Sequence, residues 1–122
     1  MTEELTPRQE AYRDVFHTAI EQGIGYWAEV EQYKHVDLER DYFAVIHDRE
    51  DEDAQQYEVN EVTIVKGIKM LGKHMRDNGN FGDSYQRKAV QDLNLKPWDA
   101  DFDAITADMI VQFALFGEVT YG

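Results

Sequence analysis

The sequence predicts an α+β fold: an N-terminal helix, a small antiparallel three-stranded sheet, then three helices, the last of them apolar and central. Three observations predict it. Ala11, Tyr12, Val15, Phe16, Ala19 and Ile20 recur at helical spacing near the N-terminus. Between residues 25 and 59, aromatic and β-branched residues alternate with polar ones in short runs, the period-two pattern of strands. From Asn60 onward helical spacing returns and ends in Ala104 to Gly117, whose apolar residues fall on every side. A helix of that kind is buried in its own domain or against a partner. At 122 residues the chain is expected to form one domain, 1–122, and to bury about two-thirds of its unfolded surface.

Each element has its own warrant. In Thr6-Pro7-Arg8-Gln9, Thr6 can cap a helix, Pro7 suits the first helical position, and Gln9 falls at the reciprocal capping-box position. Gly23 and Gly25 end this first helix. Gly25 to Tyr33 reads as the first strand, with Tyr26, Ala28 and Val30 alternating with Trp27, Glu29 and Glu31. Tyr42 to His47 is the second, with Phe43, Val45 and His47 on one face, and a polar loop near Val36 to Arg40 precedes it. Five acids in the six residues Asp48 to Asp53 require a solvated turn. Gln56 to Val59 is the third strand, with Tyr57 and Val59 on one face, completing an antiparallel meander.

Asn60 caps a second helix running to about Lys73 or His74, with Ile64, Ile68, Leu71 and Met75 as its apolar stripe. Gly72 is expected to weaken it near its end. Asp77 to Gly82 is a loop by composition. Asp83 or Ser84 starts a third helix, with Tyr85, Ala89 and Leu93 inward and Arg87 and Lys88 outward, and Lys96-Pro97 breaks it. Asp99, Asp101 or Asp103 caps the last helix, where Ile105, Met109, Gln112, Phe113 and Phe116 share a face. Gly117 terminates it, and Glu118 to Gly122 is either a fourth, edge strand or an ordered tail.

The net charge of −13 is unevenly placed. Residues 1–60 hold 5 Lys/Arg against 16 Asp/Glu, a net −11; residues 61–96 hold 7 against 4, a net +3; residues 97–122 hold none against 5, a net −5. A field of this sign repels nucleic acid and anionic membrane and attracts basic protein surfaces. Solubility alone is the plainer reading of the same composition. The absence of cysteine excludes a disulfide framework, a thiolate nucleophile and a zinc–thiolate site. No apolar run reaches the ~18 residues of a membrane span, and MTEELTPRQE lacks the basic start and apolar core of a signal peptide, so a cytoplasmic setting is expected.

Three stretches carry a resemblance. They are Gly25-Tyr26-Trp27-Ala28, Val62-Thr63-Ile64 with Gly67, and the ending from Ala107 through Phe113, Gly117 and Tyr121 to Gly122. Together they resemble a group of small acidic proteins encoded by actinobacteria and by their plasmids and phages, a group with no established activity to carry over. The similarity spans most of the chain and is most specific at the C-terminal ending, whereas Asp77 to Asp83 departs from the group's pattern. The resemblance implies a phage or mobile-element origin and a bacterial cytoplasmic setting.

Signals for specific chemistry are weak. His17, His35, His47 and His74 include no pair at helical ligand spacing. His47 and Asp48 are adjacent on a strand and point to opposite faces, which argues against an acid–base pair. Asp99-Ala100-Asp101-Phe102-Asp103 opens like a calcium loop, but Ala104 and Ile110 stand where an EF-hand needs glycine and a bidentate glutamate, so helix capping accounts for these acids better. No phosphate-cradling glycine pattern and no GxSxG is present. Lys66, Lys69, Lys73 and Arg76 share one helical side without interleaved aromatics, which reads as a solvent face rather than a nucleic-acid site. Trp27, Tyr26, Tyr33 and Tyr42 read as core before interface.

The leading expectation is therefore a non-enzymatic phage or mobile-element protein, without cofactor or metal, that binds a host protein with a basic surface. Asp48, Glu50, Asp51, Glu52, Asp53, Glu29, Glu31 and Asp37 are the candidate contact residues, and DNA mimicry is its narrowest form. The alternative is a self-associating protein, a homodimer through Phe113, Phe116 and Tyr121. A small enzyme of unassigned chemistry is third.

Overall fold

The computed structural model describes residues 5–34 and 41–122. Helix α1 (Pro7–Thr18) runs directly into a π-helical turn (Ala19–Gly23). Strands β1 (Ala28–Lys34), β2 (Phe43–Asp48) and β3 (Gln56–Asn60) form an antiparallel sheet in the order β1-β2-β3. Then come α2 (Glu61–Asp77), α3 (Ser84–Leu95), a short 3₁₀ turn (Pro97–Asp99) and α4 (Ala104–Phe116). The α+β class and the element order are those the sequence predicts. His35, Asp37 and the loop near Val36 to Arg40 lie outside the described residues.

Capping sets the helix starts. Thr6 with Gln9, Asn60 with Thr63, and Asp83 with Gln86 each form a reciprocal capping box, and Asp103 accepts from the Thr106 amide. Each satisfies donors that would otherwise be orphaned in the first turn, about 1 kcal/mol per cap. At the other end of α4, Gly117 adopts the left-handed conformation (φ 76°) and its amide bonds to Phe113 O.

Helix α4 is the centre of the molecule. Residues 106–114 are all buried, and the helix meets α2, the π-helical turn, α1 and α3. Its approach to α2 is set by Gly67, where a Cβ would lie 2.1 Å from the Ile110 carbonyl oxygen. The inner face of the sheet supplies Ala28, Ala44, Ile46 and Val59, which join Phe16, Trp27 and Ile110 in one core. On the outer face Glu29, Gln32, Gln56 and Glu58 are exposed, and Phe43, Val45 and His47 are half-buried.

Several expectations need correction. Gly25 to Trp27 is a turn rather than strand, because the Trp27 and Ala28 amides bond back to Ile24 O; β1 begins at Ala28. Helix α2 continues to Asp77, a turn beyond the expected end, since Arg87 donates to Met75 O and Asn78 Nδ2 to His74 O. Arg87 therefore does not point outward: it also bonds to Phe81 O at 2.8 Å. Gly72 is no weak point. It is buried against α3, where a Cβ would meet Asn94 Nδ2 at 2.5 Å. Tyr85 is exposed, lying toward Asp101 and Asp103, and Val90 takes the inward place beside Ala89 and Leu93. Ile105 stands out at the start of α4, off the buried face expected for it. The last residues form an ordered tail rather than a strand.

Candidate functional site

Two features carry unusual chemistry: the outer sheet face with its β2–β3 turn, and a buried carboxylate on α4.

The strand register gathers acids on the outer face. His47 pairs with Glu29 on one side and Gln56 on the other. A bulge between Val30 and Gln32 leaves Glu31 as the extra residue, so Glu29 and Glu31 both reach the same imidazole. Glu29 Oε2 lies 3.4 Å from His47 Nε2 and Glu31 Oε1 3.5 Å from Nδ1, while Gln56 Nε2 donates to Glu31 Oε2 at 2.6 Å. Glu58 is also exposed on β3 and accepts from Asn60 Nδ2. The acids of this surface thus surround a histidine that sits largely inside it.

The turn beyond β2 adds more acids, in two roles. Asp48 Oδ1 accepts from the Glu50 amide, and its Oδ2 accepts from the Tyr121 hydroxyl. Asp51 accepts from the amides of Asp53 and Gln55. These two carboxylates shape the turn, which also holds Ala54 at a left-handed φ of 49°. Glu50, Glu52 and Asp53 project into solvent. Arg49 lies among them, bonded to Gly25 O and 4.0 Å from Glu29. Of the eight predicted acids, the fold brings Glu29, Glu31, Glu50, Glu52 and Asp53 to one sheet face and its adjoining turn, holds Asp48 and Asp51 in local bonds, and leaves Asp37 outside the described residues.

A separate row of cations lies on α2. Lys66, Lys69, Lys73 and Arg76 are exposed along α2, and Lys73 pairs with Asp77 at 2.9 Å. The sequence asymmetry has thus become a spatial one.

Asp108 was not singled out by sequence. It is almost fully buried and accepts from Tyr26 Oη (2.6 Å), Trp27 Nε1 (2.7 Å) and Gln112 Nε2 (3.0 Å to each oxygen). Gln112 also holds the tail. Its Oε1 accepts from the Thr120 and Tyr121 amides, and its Nε2 donates to Tyr121 O. Tyr121 in turn stacks on Trp27, ring centroids 5.3 Å apart. Burial first, then the bond to and charge of Asp108, push the Tyr26 hydroxyl up to about 12. One signal could have found this network: Asp108 and Gln112 are four apart in a largely apolar helix, and buried polar groups need partners.

Phe113 is buried in the core, while Phe116 and Tyr121 pack on Trp27 within the same chain. Among the described residues no group of three His, Asp or Glu side chains is placed to hold a metal ion, and no helix is long and apolar enough to cross a membrane. No protein-family model matches the chain, and neither a curated protein nor a solved structure shows significant similarity to it.

Proposed function

We propose that this is a non-enzymatic binding protein whose outer sheet face and β2–β3 turn dock on a basic surface of another protein. One observation carries the reading. The sheet face presents Glu29, Glu31 and Glu58 and adjoins Glu50, Glu52 and Asp53, while Lys66, Lys69, Lys73 and Arg76 lie exposed along α2. A patch with this excess of negative charge steers a basic partner into encounter and rejects acidic ones. The resemblance to small acidic proteins of actinobacterial mobile elements directs the search to DNA-binding proteins of such a host. On this reading the patch imitates the phosphate backbone that those proteins normally engage.

The test is capture of basic DNA-binding proteins from an actinobacterial lysate on the immobilised protein, at low and high salt, with duplex DNA as competitor. Retention at low salt, release at high salt and displacement by DNA are expected. A Glu29→Lys/Glu31→Lys/Glu58→Lys variant should retain none of them. Equal retention by that variant sinks the proposal.

A further inference from the structure

A cleft of about 580 Å³ opens between the π-helical turn, the first turn of α4 and the tail. The hydrogen-bonded Tyr26–Asp108 pair, Ile105, Met109, Val119 and Tyr121 are among the residues that line it. Asp108 is only 5% exposed, and all four of its hydrogen bonds come from neutral donors. A buried carboxylate without a cation beside it keeps a strong field, because little water is present to screen it. No lysine or arginine lines the cleft. The positive end of α4, which could offset that field, is already engaged by the Asp103 side chain. Tyr26 is 57% exposed and offers a ring as well as its hydroxyl. The Tyr121 hydroxyl donates to Asp48 at the root of the acidic turn.

An aromatic ring, apolar walls and an uncompensated negative field together select a cation carried on a greasy stem. We infer that this cleft binds an ammonium or guanidinium group on an alkyl chain. The ligand is either a free amine or a lysine or arginine side chain of a protein. The cleft is separate from the outer sheet face, so the inference does not rest on the docking reading above. Lysine–glutamate reversals at Glu29 and Glu31 leave it intact.

The test follows the Trp27 indole N–H resonance, since that group donates directly to Asp108. The probes are N-acetyl-lysine methylamide, N-acetyl-arginine methylamide and the isosteric norleucine compound. Saturable shifts with both cations are expected, on the order of tenfold tighter than with norleucine, about 1.4 kcal/mol. Equal binding of norleucine, or no shift with either cation, overturns the inference. Asp108→Asn should erase the preference for cations. Ile105→Lys, at an exposed wall position, should abolish binding with the fold intact, and unchanged affinity in that folded variant also overturns the inference. A lysine-containing peptide that binds about tenfold tighter than the single amino acid identifies a protein side chain as the source, and parity identifies a free amine.

Discussion

The indole N–H of Trp27 donates to the carboxylate of Asp108 at 2.7 Å, joining the turn before β1 to the middle of α4 across 81 residues of chain. Replacing Asp108 with alanine leaves the indole and the Tyr26 hydroxyl without their acceptor and removes one of the Gln112 amide's bonds, the one to Tyr121 O remaining. Leaving buried donors unmatched costs roughly 1–3 kcal/mol each. The Tyr26 hydroxyl can turn to water, so a loss of about 3 kcal/mol is expected. Urea unfolding should show a lower midpoint with an unchanged slope.

Gln112→Leu keeps the buried volume but removes the clamp on the tail. The amides of Thr120 and Tyr121 lose their acceptor. Hydrogen exchange at these two amides should approach that of an unfolded chain, while exchange in α2 stays slow. Retained protection at Tyr121 would show that its stacking on Trp27 alone holds the tail.

Gly67→Ala drives a methyl group into the Ile110 carbonyl of α4. The contact is backbone, which cannot swing away, so the helices must separate. Overpacking of this kind costs about 3 kcal/mol. Gly79→Ala is the control, because a Cβ there meets nothing within 4 Å, and its effect should stay within about 0.5 kcal/mol. Thermal melts of the two variants side by side decide the matter.

Stability should fall at alkaline pH through the tyrosines. The hydroxyl of Tyr121 is raised from 10.0 to about 12, first by its bond to Asp48, then by burial and by the charges of Asp48, Glu50 and Asp51. Tyr26 is raised to about 12 as well, and Tyr33 is also raised, by burial and then by its bond to Glu21. The folded state therefore favours the protonated phenol. Its contribution is complete below pH 10 and is lost as pH rises towards 12. Tyr26→Phe/Tyr121→Phe should flatten that decline in a series of unfolding midpoints, with tyrosinate absorbance reporting the titration.

What could be read from sequence was local. Thr6, Asn60, Asp83 and Asp103 cap helices through residues three positions away, so a short window contains the whole interaction. The stripe Ile64, Ile68, Leu71 and Met75 was likewise visible as periodicity, and all four side chains are buried. The misreadings concern partners distant in the chain. Gly72 looked like a flaw until Asn94 was placed against it, and Arg87 looked like a solvent residue until the α2 carbonyls came within reach. The candidate sites divide in the same way. The acids of the β2–β3 turn were evident from composition, but their union with Glu29 and Glu31 needed the strand register. The Asp108 cleft needed three segments that only the fold brings together.

The irregularity in β1 between Val30 and Gln32 has a consequence for solubility. A three-stranded sheet has two edges, and a flat edge invites another chain to add a strand. The extra residue increases the local twist of β1 and interrupts the even row of amides and carbonyls that such an intruder would need. Restoring a regular strand by deleting Glu31 would flatten that edge while leaving Gln32, Tyr33 and Lys34 opposite Val45, Ala44 and Phe43. The bulge thus protects the chain from sheet-to-sheet aggregation, even where its charge is screened by salt.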